Sequence, residues 1–132
     1  MTVEGRRSPA WEWMDLRLVE VGEGRAVVEM PSVESMRNFQ GTVHGGFISL
    51  LADSAMGLCI ATELPDGERH FSFDLKLSFI SPASPGELLR ATALALHAGR
   101  RTGVCDCRVE GPDGRLVATA TASFMLYPPG DM

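Results

Sequence analysis

The sequence predicts an α+β domain: a curved antiparallel sheet of about six strands wrapped around one long central helix, in the order ββαββββ. Three observations predict it. Residues 45–62 are almost wholly apolar for the length of a helix, with one carboxylate, Asp53, in the middle. Residues 71–79 alternate perfectly, Phe71, Phe73, Leu75, Leu77 and Phe79 against Ser72, Asp74, Lys76 and Ser78, which is the period of a strand. Alanines at 91, 93 and 95, and again at 118, 120 and 122, line one side of two further strands, and small residues let a helix lie close on a sheet.

The other elements follow in order. Ser8 as cap and Pro9 at the first helical position mark a short N-terminal helix within a segment 1–14 whose first residues are polar and loose. Trp11 and Trp13 fit a core edge or a subunit contact better than a base stack. Residues 16–21 and 25–30 are β-rich runs joined by Gly22-Glu23-Gly24, a hairpin signal, and Pro31 ends the second. Residues 31–43 read as a long loop, a common place for function. The helix should be buried on most sides, except for a small and polar strip of Gly46, Ser49, Asp53 and Gly57. Pro65-Asp66-Gly67 is a turn. Residues 87–97, 103–110 and 116–126 read as three strands of a meander, joined at Gly99-Arg100-Arg101 and at Gly111-Pro112-Asp113-Gly114. The domain therefore spans 15–127, with a tail at 128–132.

A chain of 132 residues suits one domain with a real core. With 45% hydrophobic and 22% charged residues it is an ordinary globular composition. A net charge of −5 speaks against nucleic acid and anionic membrane as partners, although a local cluster can still bind an anionic ligand. Three cysteines, and no apolar run behind Arg6 and Arg7, point to free thiols in a reducing, cytoplasmic compartment. The apolar stretch 47–62 falls short of the roughly 20 residues of a membrane span and carries Asp53.

Several signatures are missing: no Gly-x-Ser-x-Gly elbow, and no glycine-rich phosphate cradle. Cys105 and Cys107 have strand spacing, and two thiols without further ligands make no zinc site; with Cys59 they read as core. His70 and His97, at or near strand ends, read as structural or solvated. No metal or cofactor is implied. What remains is the joint of loop and helix. Gly45 and Gly46 stand where free N–H groups and the helix dipole gather, and glycine lets a ligand atom approach the backbone. That is the chemistry of an oxyanion site. His44 could donate a hydrogen bond there or fix the loop. Asp53 is a candidate base for a water. The same residues also fit a plain loop-to-helix joint, and an aspartate satisfied by Ser49 or Ser54. From Gly45 to Asp53 is about 12 Å along a helix. A base and a carbonyl-polarising donor must reach one carbon, so one helix cannot easily supply both. Two antiparallel copies could, which makes an esterase-like site an interface site of at least a dimer.

The run Asn38-x-x-Gly41-x-x-His44-Gly45-Gly46, followed by Asp53, resembles the hotdog-fold acyl-CoA thioesterases of the phenylacetate-degradation (PaaI-like) branch. The resemblance continues through Asp74-Leu-Lys-Leu-x-Phe79-x-x-Pro82-Ala83, Gly86-Glu-Leu, His97-x-Gly99-Arg100 and Asp113-Gly114, over about residues 15–126. It implies the hotdog fold, dimers made by joining two sheets, tetramers as dimers of dimers, and an acyl-CoA substrate. By resemblance, the N–H of Gly45 or Gly46 polarises the thioester carbonyl. Asp53 activates water or attacks the thioester, and Asn38 and His44 order substrate and loop. Ser72 stands where some relatives have a site serine, whereas alternation puts it on the polar face of its strand. Arg100 and Arg101 suit coenzyme A phosphates or a solvated turn. Phe47, Met56 and Ile60 are candidates for the acyl pocket. The leading reading is therefore an acyl-CoA thioesterase. The alternatives are a hotdog hydratase or dehydratase acting on acyl thioesters, and a non-catalytic acyl-CoA-binding module.

Overall fold

The computed structural model describes residues 8–66 and 68–128. The N-terminal residues expected to be loose (1–7), Gly67 of the expected turn and the tail beyond 128 lie outside the described residues. Short helix α1 (Pro9–Trp13) leads into β1 (Arg17–Gly22) and β2 (Arg25–Pro31). A 3-10 turn (Glu34–Met36) precedes the long helix α2 (Gly45–Ala61). Then come β3 (Arg69–Phe79), β4 (Leu88–Ala98), β5 (Thr102–Glu110) and β6 (Leu116–Tyr127). The strands form one antiparallel sheet in the order β1-β2-β4-β5-β6-β3, so β1 and β3 are its edges.

Local chemistry explains the joints. Ser8 caps α1 by accepting the N–H of Trp11 at 3.2 Å, with proline just inside the helix. At the far end of α2, Thr62 Oγ1 donates to the carbonyl of Cys59 at 2.7 Å and accepts the N–H of Gly24 at 3.3 Å. The β1–β2 turn and the helix end are thereby tied together. The stretch 31–43 is less of a loop than its sequence suggests. The buried Ser32 hydroxyl donates to the carbonyl of Glu87 at 2.6 Å, and Arg37 and Val43 form an isolated antiparallel bridge.

The core lies between α2 and the concave face of the sheet. Ile48, Leu51, Ala52, Ala55, Met56, Cys59 and Ile60 are buried, facing Ala91, Ala93, Cys105, Val109, Ala120 and Ala122. Each of the larger side chains contributes about 1.5–3 kcal/mol by leaving water. The helix rests chiefly on β2, β4 and β5. One sheet covers one side of a helix only. Phe47, Leu50, Asp53, Ser54, Gly57 and Leu58 are accordingly only half-buried, and the expectation of burial on most sides does not hold within a single chain.

β3 departs from perfect alternation. Ser72 pairs with Phe124 and Asp74 with Ser123, so Phe73 is an extra, bulged residue. Cross-strand partners share a face. Ser72 therefore lies on the helix side with Phe124, as do Leu75 and Leu77 opposite Ala122 and Ala120, while Phe71 pairs with Met125 on the other face. The sequence phase is right on one side of the bulge only, and Ser72 moves off the polar face to which strict alternation assigns it.

Packing under the helix is tight at Gly103, where a Cβ would lie 2.5 Å from Ile60 Cδ1. Gly103→Val should overpack the core and cost about 1–3 kcal/mol in a denaturant titration. An unchanged midpoint would show that α2 does not press on β5 there.

Candidate functional site

The loop before α2 is built by Asn38. Its Oδ1 accepts the N–H groups of Gln40 and Thr42, both at 3.0 Å, and its Nδ2 donates to Thr42 Oγ1 at 3.0 Å. Gly41 takes φ +93°, a conformation that side chains disfavour. The loop is anchored at its exit, where Val43 N–H donates to Ala83 O and His44 N–H to Met36 O, each at 2.8 Å. Asn38 thus holds the loop's shape.

His44 is the N-cap of α2. Its Nδ1 accepts the N–H of Gly46 at 2.9 Å, so in the neutral ring the proton sits on Nε2. This separates the two glycines. The N–H of Gly46 is occupied, whereas among the described residues that of Gly45 has no protein acceptor. Gly45 lines a cleft of ≈ 390 Å³ with Asn38, Gln40, Thr42, Phe79 and Ile80. A Cβ on Gly45 would come 3.0 Å from the ring of exposed Phe79, so a side chain there would require that ring to shift by a few tenths of an ångström.

Asp53 lines a different cleft, also of ≈ 390 Å³, with Ser54, Gly57, His70, Ser72 and Phe124. Within one chain, Gly45 and Asp53 share neither cleft. No side chain among the described residues hydrogen-bonds to Asp53; Ser49 Oγ donates instead to the carbonyl of Gly45 at 2.8 Å. Burial pushes the Asp53 carboxyl above its ordinary value, since desolvation disfavours the charged form. Ser72 reaches this cleft because of the β3 bulge. His70, read from sequence as structural or solvated, is here too, with Nε2 3.8 Å from where a Cβ on Gly57 would stand and its ring edge-on to Phe124 at 5.7 Å. The spacing of His70 and Ser72 would put them on one face of a strand, but which face depended on a bulge that alternation did not signal.

The other expected residues fall elsewhere. Met56 and Ile60 are fully buried core residues and line neither cleft. They face the sheet, which removes them from the acyl-pocket candidates. Phe47 is half-buried, edge-on to the His44 ring at 6.2 Å. Arg100 and Arg101 are exposed at the β4–β5 turn and border neither cleft. The three thiols are free and buried, with burial pushing Cys107 up to about 12. Among the described residues, no helix is long and apolar enough to cross a membrane.

Comparison with known proteins decides the family. The model of the thioesterase superfamily matches residues 40–118. The chain belongs to the thioesterase superfamily. Thioester hydrolysis is the activity that membership gives it. The acyl-coenzyme A thioesterase PaaI of Escherichia coli is 30% identical over 80% of this chain and 73% of its own length. A conserved protein from Pseudomonas aeruginosa superposes with a TM-score of 0.87 at 32% identity, covering 93% of this chain and 97% of the other. A mutant of PaaI from Thermus thermophilus superposes with a TM-score of 0.83 at 29% identity, over 89% and 98% of the two chains. The fold of this thioesterase is the hotdog, and its likeness to PaaI is borne out.

Two measurements test the site of this thioesterase. Asp53 binds its proton more tightly folded than unfolded. Stability attributable to it is therefore fully present below the ordinary 3.8 and is lost as pH rises through the raised folded value. Asp53→Asn should raise the thermal midpoint at pH 7, and the gain should shrink as pH is lowered below that value. A gain that is flat with pH would contradict the assignment. His44→Ala removes the cap and should cost about 1 kcal/mol in chemical denaturation.

Proposed function

We propose that this thioesterase hydrolyses acyl-CoA thioesters to the free acid and coenzyme A, at sites shared between two subunits of a dimer. In this reading, the N–H of Gly45 polarises the thioester carbonyl. Asp53 of the partner subunit takes a proton from a water that adds to the carbonyl carbon. The C–S bond then breaks and the proton passes to the departing thiolate. Ser72 lies beside Asp53 to hold the water, while His44 and Asn38 position Gly45.

The observation that carries the reading is the place of β3. It is a sheet edge, with unpaired backbone groups and exposed Phe71, Phe73, Leu75 and Phe79. Its start (His70, Phe71, Ser72) borders the Asp53 cleft and its end (Phe79) borders the Gly45 cleft. Antiparallel pairing of two such edges about a two-fold axis near Leu75 sets the start of each β3 against the end of the other. The Asp53 cleft of one subunit then adjoins the Gly45 cleft of its partner, twice over. This supports a site in trans, since the two groups are about 12 Å apart along one helix.

The test is hydrolysis of a panel of acyl- and aryl-CoAs, followed by thiol release. Asp53→Ala should lose at least about 100-fold in kcat. Full activity in that variant would sink the mechanism, and tight binding without turnover by the wild type would make the protein a binding module. Gly45→Pro deletes the proposed donor at a first helical position that tolerates proline, after a residue whose ψ of 134° suits it. It should fold and lose about 10²–10³ in kcat relative to Gly45→Ala, which sets the same Cβ against Phe79 but keeps the N–H. Co-expressed Asp53→Ala and Gly45→Pro chains should regain activity in the mixed dimer, which holds one intact site. No recovery in a purified mixed dimer would place both groups in one chain's site.

A further inference from the structure

The loop that ends at His44 and Gly45 is fastened to an ion pair that lines neither cleft. Arg115 ends the turn between β5 and β6, and Glu87 directly precedes β4. The links between them and the loop are hydrogen bonds through planar peptide groups, so the direction of one bond fixes the next. Asn38 N–H donates to Thr42 O at 2.8 Å. The same peptide group donates its Val43 N–H to Ala83 O, also at 2.8 Å. The Ala83–Ser84 peptide in turn donates its Ser84 N–H to Glu87 Oε1 at 2.7 Å. Arg115 Nη2 donates to that same Oε1 at 3.1 Å and to the carbonyl of Pro82 at 3.2 Å. The peptide groups on both sides of Ala83 are thereby pinned by one guanidinium–carboxylate pair.

The chemistry suits a fixed relay. A charge at the end of a chain of hydrogen bonds polarises the bonds along it. The Glu87 carboxyl is held below its ordinary value, first by the Ser84 N–H and then by Arg115, so it is ionised at neutral pH. Both side chains are only half-buried, and a pair so placed contributes little to global stability. What it holds is local: Ile80, Pro82 and Ala83 border the Gly45 cleft, and Val43 directly precedes the cap residue His44. We propose that Arg115 and Glu87 are positioning residues of the thioesterase site: through the Ala83 peptide they fix Val43, and with it the turn that aims the Gly45 N–H. The inference rests on the reading above, in which that N–H polarises the thioester carbonyl. Neither residue needs to touch substrate for this role.

The test takes Arg115→Met, Arg115→Lys and Glu87→Gln in the full chain, with hexanoyl-CoA and phenylacetyl-CoA as substrates. Methionine keeps an apolar stem and removes the fork of donors. Arg115→Met and Glu87→Gln should each lower kcat by about 10–10²-fold through a small misplacement of the donor. KM should stay within about twofold, since no substrate contact is lost. Arg115→Lys should recover part of kcat, because an ammonium keeps the charge beside Glu87 and loses the planar fork. The thermal midpoint should barely move. Amide hydrogen exchange at Val43, followed by NMR, needs no turnover. It should quicken about tenfold in Arg115→Met while the amides of β5 keep their wild-type rates. In a Gly45→Pro background, Arg115→Met should add little, because groups that act through one donor are not additive.

An unchanged Val43 amide would overturn the inference, and so would a loss that appears in KM alone or a midpoint that falls along with kcat. A full further loss in the Gly45→Pro background would do the same, since the pair would then act through another group. An impaired Gly45→Pro beside an unimpaired Arg115→Met would strike this inference alone. Wild-type kcat in Gly45→Pro would strike the carbonyl-polarising reading, and the aim assigned to the pair with it. If neither substrate is turned over, the thioesterase reading fails and Val43 exchange decides by itself whether the pair holds the loop.

Discussion

The structure depends on one mismatch: α2 is apolar around most of its circumference, and a single sheet can cover only one side of it. The side facing the sheet takes Leu51, Ala55, Met56 and Ile60 out of water completely. The opposite side, with Phe47, Leu50, Asp53, Gly57 and Leu58, is left half-covered, and the two clefts open along it or at its start. Apolar surface of this kind is stabilised by whatever next excludes water from it, a ligand or a second copy. The helix that organises the core therefore also dictates where chemistry can happen.

Asp53 shows the other half of that constraint. Asp53 is partly withdrawn from water, and among the described residues no side chain gives it a hydrogen bond, so its charged form is disfavoured. A shifted carboxyl in a cleft is what the proposed role of Asp53 requires. Gly45 is the complementary case, a donor at a helix start whose neighbour Gly46 is already satisfied by His44 Nδ1. Among the described residues, an acceptor and a donor without a protein partner lie on one helix, in separate clefts.

Two small backbone features shape the proposed site. The His44 cap decides which of two adjacent glycines keeps a free N–H. The Phe73 bulge rotates Ser72 to the helix side of β3 while leaving Leu75 and Leu77 on that side as well. Neither feature costs a large rearrangement, and each changes which polar atoms face a cleft. The bulge sits on the edge strand, where such irregularities are common because only one neighbour must accommodate them.

Much of the fold was legible from residues alone. The apolar run after His44, the alternation around Leu75 and the alanine rows on β4 and β6 are periodic signals, and periodicity is local. The loop-helix joint was legible for the same reason, since Gly45, Gly46 and Asp53 are neighbours in sequence and their spacing sets their separation on a helix. Tertiary structure alone decided what depends on distant partners. Met56 and Ile60 turned to the sheet because the sheet lies on that side of α2, which no helical period specifies. His70 and Ser72 came to Asp53 because β3 pairs with β6 and bulges at Phe73, a register set by the partner strand. The sequence by itself determined the elements and the groups able to do chemistry; the third dimension decided which of them meet, because facing and register belong to pairs of elements and not to either one.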